Sequence, residues 1–206
     1  MPFILLLLLF FYSSNVLAAD MGFRFQAGFC HKERTPGFNP EFFGECGNLT
    51  GSRLINQTFN QANLKGATLN SSYIYASHFK KSNLLHLSIR RGTILQSDFK
   101  NSNANYLDLR GSTVKGVDFE GSYLSLLLAS GTRFVKTSFK NCTLKGANFW
   151  GSNLQEVDFS GSDLSAANLI STNLLFTNFK GAKFDKRTRL PFSEEEALAK
   201  GMIKID

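Results

Sequence analysis

His78, Asp98 and Asp118 are the residues best placed to do chemistry, because each stands 20 residues from the next. If the chain returned to one side every 20 residues, an imidazole and two carboxylates would share a column. Such a column could serve acid–base chemistry or glycoside cleavage. The same phase also holds Thr58, Ser138, Asp158 and Asn178. The simpler reading is therefore a repeated polar wall position with a structural task, and the sequence favours it. Cys30, His31 and Cys46 supply three potential metal ligands without a nearby fourth, which makes a structural zinc site a weak reading. No Gly-rich phosphate loop, nucleophile motif or metal-ligand cluster appears. The expectation is a protein that is not an enzyme, with no catalytic residue, metal or cofactor.

The elements that would position these side chains begin after an N-terminal address. Ile4 to Tyr12 form an unbroken apolar run, and Ala18 and Ala19 offer a signal-peptidase site. The run is short for a bilayer span, which needs about 20 residues. Residues 1–19 are expected to be a signal peptide, and the mature protein to be periplasmic or secreted without a transmembrane segment. In an oxidising compartment Cys30 and Cys46 would form a disulfide, worth about 3 kcal/mol by loop entropy. Cys142 falls at a small-residue position and reads as a buried packing residue.

From Leu49 to Phe184 every fifth residue is apolar, without insertion or deletion. We call this position the centre. Two residues earlier, 24 of 28 units carry Gly, Ala, Ser, Thr, Cys or Val. The residue between is mostly polar. A period of five matches neither helix nor simple strand alternation, and fits a short extended piece followed by a corner. Every fourth centre is Phe: Phe59, Phe79, Phe99, Phe119, Phe139, Phe159 and Phe179. The chain is therefore expected to be an all-β solenoid, a four-sided coil that stacks these rings as an internal ladder.

The units Ala62-Asn63-Leu64-Lys65-Gly66 and Ala147-Asn148-Phe149-Trp150-Gly151 resemble the pentapeptide-repeat family. The resemblance covers residues 47–186 and implies a right-handed quadrilateral β-helix. At four units per coil, 28 units give about seven coils, roughly 34 Å long at the usual strand spacing. Some members of the family resemble DNA duplexes and protect type II topoisomerases, which calls for an acidic cytoplasmic rod. This chain has a net charge of +7 and is expected to be exported, so that role is not expected to carry over.

Leu87, Leu107 and Leu127 occupy the small position in three successive coils, while Ala104 and Ala129 shrink two centres. This implies an exchange of core volume, with Ser125 to Ser130 the expected place for distorted geometry. Residues 20–46 are expected to cap the first coil with Phe23, Phe25, Phe29, Phe38, Phe42 and Phe43. Residues 187–206 are expected to cap the last with a short helix, opened by the Ser193–Glu196 capping box and stopped by Gly201. Leu190, Phe192, Leu198, Met202 and Ile203 would close that end, which could instead form a homodimer contact.

Two surfaces could recognise a partner. Ile55, Tyr75, Leu95, Val135 and Leu175 recur in one outer column, interrupted by Lys115 and Gln155. Stacked, they would form an apolar strip of the kind that marks protein contacts. Basic residues crowd the first coils: Lys80, Lys81 and Lys100 follow the Phe side, Arg90, Arg91 and Arg110 lie half a coil away, and Lys115 follows. Opposed stripes read as solvated walls rather than a nucleic-acid groove. Asn48, Asn56, Asn70 and Asn141 lie in Asn-X-Ser/Thr triplets, which the repeat grammar itself generates. The sequence thus favours an exported scaffold that presents a rigid rod to an unknown protein or envelope component. The alternative is a binder of anionic polymer or lipid through the basic coils, and a glycan hydrolase is a more remote reading.

Overall fold

The structure is a computed structural model and describes residues 47–206. The expected signal peptide, the Phe plugs of the N-terminal cap and the Cys30–Cys46 pair lie outside the described residues.

Each coil pairs with the next in parallel at a fixed offset of 20 residues. β1 (Arg53–Ile55), β2 (Tyr73–Tyr75), β3 (Thr93–Leu95), β4 (Thr113–Lys115), β5 (Arg133–Val135) and β6 (Asn153–Gln155) form one six-stranded sheet in sequence order. The other three sides are single bridges in the same register, such as His78 to Asp98 and Asn83 to Asn103. The four walls carry the centres Leu49 to Leu169, Leu54 to Leu174, Phe59 to Phe179 and Leu64 to Phe184. We number them one to four.

Five residues make a side because the fifth turns the corner. From Leu49 to Phe179 the residue two after each centre has a positive φ, in seventeen non-glycine residues as well as in glycines. This left-handed conformation costs an L-residue about 1–2 kcal/mol. At most corners the centre carbonyl then accepts the N–H three residues on, as Phe59 O does from Ala62 N at 3.0 Å. The corner residue in turn donates to the neighbouring coil, as Gln61 N does to Lys80 O at 2.8 Å.

Inside, the Phe rings stack along the axis. Phe79 and Phe99 are 4.5 Å apart at 10°, and Phe119 and Phe139 are 5.1 Å apart at 6°. All seven rings are buried. The small position two before each centre has a second task that size alone does not reveal. Its hydroxyl reaches the centre carbonyl 23 residues earlier: Ser122 Oγ donates to Phe99 O at 2.8 Å, and Thr132 Oγ1 to Leu109 O at 2.7 Å. The preference for Ser and Thr over Ala follows from this bond.

Leu87, Leu107 and Leu127 are fully buried, as are Ala104 and Ala129. The backbone of residues 125–130 is nevertheless regular. Leu126 has φ 58, like other corners, and Ala129 N donates to Asn148 O at 2.9 Å. The expected distortion is absent because side chains absorb the volume. Phe134 and Phe149 take centres next to Ala129 and pack edge-on against Phe139, at 5.4 and 5.9 Å. Edge-to-face rings fill space that stacked rings leave.

The register continues past residue 186, so the chain makes about eight coils. Asn168 bridges Arg189, one residue late, and β7 (Lys183–Phe184) pairs with β8 (Ile203–Lys204) at the regular offset. Asp185 holds the extra residue. Its carboxylate accepts from Ala166 N, Arg187 N and Thr188 Oγ1 at 2.9–3.0 Å. Burial works against its charge, but these hydrogen bonds and the Arg187 guanidinium hold it well below the usual carboxylate range.

Helix α1 (Glu194–Ala199) stands within this last coil. Ser193 Oγ accepts from Glu196 N at 3.1 Å. Phe192 meets the end of the ladder edge-on, 6.0 Å from Phe179. Leu190 and Phe192 pack on the core and Met202 is buried, but Leu198 and Ile203 are half exposed. The inward helix position is Ala197. A helix of six residues turns one narrow face inward, and Leu198 lies about 100° around from that face.

Truncating a ladder ring should leave a cavity between two others. Phe119→Ala is expected to cost about 3–5 kcal/mol in denaturant unfolding, against within about 0.5 kcal/mol for the surface change Lys65→Ala.

Candidate functional site

The His78, Asp98 and Asp118 column exists as a stacked feature, since His78 bridges Asp98 and Asp98 bridges Asp118. Its carboxylates are already committed. Asp98 Oδ1 accepts from Lys100 N at 3.0 Å, and Asp118 Oδ1 from Glu120 N at 2.9 Å. Asn148, Asp158, Asp163 and Asn178 do the same for the N–H two residues on. Asp or Asn before the centre is thus an acceptor for a backbone donor, repeated around the rod.

The second carboxylate oxygen takes a cation from the preceding coil. Lys80 Nζ is 3.0 Å from Asp98 Oδ2, Lys100 Nζ 2.9 Å from Asp118 Oδ2, Lys140 Nζ 3.3 Å from Asp158 Oδ2 and Lys145 Nζ 3.3 Å from Asp163 Oδ2. Each pair is 18 residues apart, a diagonal step between adjacent coils. Hydrogen bonds to Asp118 and Glu120 hold the Lys100 ammonium above its ordinary range. Partial burial opposes the charge on Asp158, but Ser160 and Lys140 keep its carboxyl below the usual value. Such exposed pairs are screened by solvent and contribute little to stability.

This pairing divides the basic residues. Lys80 and Lys100, on the third wall, are neutralised by Asp98, Asp118 and Glu120. On the first wall, Arg110 holds Asp108 through Nε at 2.9 Å and Nη2 at 2.6 Å, and Arg90 lies 3.8 Å from the same carboxylate. Burial raises the cost of the Asp108 charge, but Arg110 and Arg90 hold it below the usual range. Lys81, Arg91 and Lys115 have no ion pair among the described residues.

The outer column of Ile55, Tyr75, Leu95, Lys115, Val135 and Gln155 is brought together by the sheet register. Ile55, Tyr75 and Leu95 are half-buried, Val135 is only 9% exposed, and Leu175 is open. Val135 therefore offers little surface, and a charged substitution there would report on folding rather than on association.

A larger apolar surface lies elsewhere. Tyr106, Tyr123, Leu126, Leu128 and Trp150 are exposed, Tyr123 at 58% and Trp150 at 55%. Tyr106 and Leu126 sit at the corner between walls four and one, Tyr123 lies on wall four, and Leu128 and Trp150 lie on wall one, all in the middle coils. His86 stacks on Tyr106 at 4.5 Å in the corner column. Leu126 follows in that column and leans over Gly146, where an added Cβ would meet its Cδ2 at 2.8 Å. Sorting by single columns scatters these residues over four phases, which hid the patch. Phe176, 76% exposed, is separate and lies near the C-terminal end.

Cys142 replaces a hydroxyl of the fourth wall, and its Sγ donates to Phe119 O at 2.9 Å. Burial pushes its thiol up to about 12. Among the described residues no group of His, Cys, Asp and Glu could hold a metal ion, and no helix is long and apolar enough to cross a membrane.

A parallel β-solenoid with a five-residue side, inward Phe and wall Asp or Asn defines a class of repeat scaffold. The family model for pentapeptide repeats (8 copies) matches residues 48–84, 128–161 and 151–185, and the chain belongs to the pentapeptide-repeat family. The unmatched stretch between residues 84 and 128 holds Leu87, Leu107 and Leu127 at the small position, yet keeps the same register. No curated protein matches the chain. HetL, a pentapeptide-repeat protein involved in heterocyst differentiation regulation in the cyanobacterium Nostoc sp. strain PCC 7120, is similar in fold. It is 19% identical, with a TM-score of 0.51 over 68% of this chain and 72% of HetL. Full-length QnrB1, a plasmid-mediated fluoroquinolone resistance protein, is 18% identical, with a TM-score of 0.48 over 78% of this chain and 90% of QnrB1.

Two outcomes check these assignments. Asp118→Ala should cost about 1 kcal/mol in urea unfolding, and Asp118→Asn less, because the amide oxygen still accepts from Glu120 N. A thiol reagent at pH 8 should leave Cys142 unmodified in the folded chain and react fully after denaturation, read by mass spectrometry.

Proposed function

We propose that this protein is a non-enzymatic exported scaffold that docks a protein partner through the aromatic corner formed by Tyr106, Tyr123, Leu126, Leu128 and Trp150. The exposed corner is the observation that carries the reading. Tyr and Trp on a rigid support give large contact area at small entropic cost, and they are enriched among residues that dominate binding energy. The support is stiff because each inner coil is bonded to the coils on both sides of it and filled by the Phe ladder. The Asp column favours this reading over hydrolysis, since its carboxylates already serve backbone donors and lysines. Export is supported by the apolar run from Ile4 to Tyr12 and by Ala18 and Ala19.

A photo-crosslinking residue placed at Tyr123, at Leu95 or at Lys80 in the exporting cell tests the proposal. A discrete heterologous adduct from position 123 alone is the expected result. Equal adducts from all three walls, no adduct, or an adduct at twice the chain mass would overturn it. With the partner in hand, Trp150→Ala should weaken binding by about 2 kcal/mol or more.

A further inference from the structure

A small cleft lies at the edge of the first wall. It lies between two successive coils, has a volume of about 160 Å³, and is lined by Asn70, Ser71, Arg90 and Arg91. Its acceptors are turned away. Arg90 N donates to Asn70 Oδ1 at 2.8 Å, and Ser88 Oγ donates to the same oxygen at 2.7 Å. A backbone N–H can only donate, so the atom facing it is the amide oxygen, and the amide NH2 is left for an outside acceptor. The Ser71 hydroxyl has no hydrogen-bond partner among the described residues.

The charge is also unbalanced here. Arg91 has no acidic partner among the described residues. Arg90 reaches only Asp108, at 3.8 Å, and Arg110 already occupies both oxygens of that carboxylate. Arg90 and Arg110 therefore share one carboxylate and Arg91 has none, an excess of two positive charges. The third wall differs: Lys80 and Lys100 are closed on Asp98, Asp118 and Glu120 at 2.9–3.2 Å.

We infer that this cleft binds a phosphate monoester, carried by a lipid headgroup or by a small soluble phosphate. Two guanidinium forks and an amide NH2 offer donors, and the Ser71 hydroxyl can add another. A phosphate monoester presents three terminal oxygens and a charge of about −1.5 to −2 at neutral pH, which matches both the donors and the excess charge. A carboxylate presents two oxygens and one charge and would leave donors unmet. Arginine suits the task because its fork binds phosphate bidentately. The inference does not draw on the aromatic residues, of which only Trp150 shares the column of Asn70 and Arg90, three coils beyond Arg90.

The test uses the full purified chain. Inorganic phosphate is titrated by calorimetry. In parallel, phosphatidylcholine vesicles containing phosphatidic acid, a monoester, are compared with vesicles of equal charge containing phosphatidylglycerol, a diester. Binding to phosphate or to phosphatidic acid, above the phosphatidylglycerol level, is expected. Retention on the vesicles assigns a lipid source, and binding of inorganic phosphate alone a soluble one. The double variant Arg90→Gln with Arg91→Gln should bind about tenfold more weakly or worse, while Lys80→Gln with Lys81→Gln should stay within about twofold. Equal losses in both double variants would reveal diffuse attraction and overturn the site. So would a wild-type chain that binds neither probe. If the arginine double variant unfolds, Ser71→Ala and Arg91→Lys replace it, and an unchanged affinity in both overturns the inference.

Discussion

Everything in this rod depends on the left-handed corner that closes each side. A residue with positive φ turns the chain after each centre, and it does so in Ala76, Tyr106 and Phe176 as well as in glycine. The cost per L-residue is modest, about 1–2 kcal/mol, but it recurs at most corners. It is offset because the turned chain meets its neighbours in register: the corner and centre N–H groups find carbonyls on the next coil, and the wall N–H finds one on the preceding coil. The register does not require a particular side chain at the corner, so corner positions are free to carry function. His86, Tyr106, Leu126 and Arg91 all use that freedom.

The surface follows from the same constraint. A wall position repeats every coil, so a residue suited to it is used repeatedly: Asp and Asn cap an N–H, and Ser and Thr tie one coil to another. A Lys after the centre finds an Asp one coil on, slightly displaced along the wall. Much of the basic charge is thereby spent on the rod itself. What remains unmatched is local, and it is the departures from the pattern that mark the aromatic corner and the arginine cleft.

Much of this was legible in the sequence because the period is strict. The five-residue rhythm set the sides, Phe at every fourth centre set the ladder, and Ser193 with Glu196 set the start of the helix. The ion pairs were equally readable as residues 18 apart, but only once the diagonal step between coils is known. The aromatic corner was not, because Tyr123, Leu126, Leu128 and Trp150 fall in different columns and meet only around a bend. The helix misled for a related reason. Leu198 is the larger residue, yet Ala197 faces the core, since the direction of the chain entering α1 decides which side of a single short helix points inward. The regular backbone at Ala129 could not be foreseen either, because Phe134 and Phe149 solve the packing by ring orientation.

The fixed offset between coils also sets how such a rod can change its length. Adding or removing 20 residues inserts or deletes one layer, about 4.8 Å thick, and leaves every column in phase. A change of five residues keeps the inward rhythm but rotates all later walls by a quarter of a circle and interrupts the Phe ladder at that point. Placed between Tyr106 and Tyr123, it would carry Trp150 to another side of the rod while the fold survived. Length and facing are thus separate quantities in this architecture, one counted in whole coils and the other in single sides.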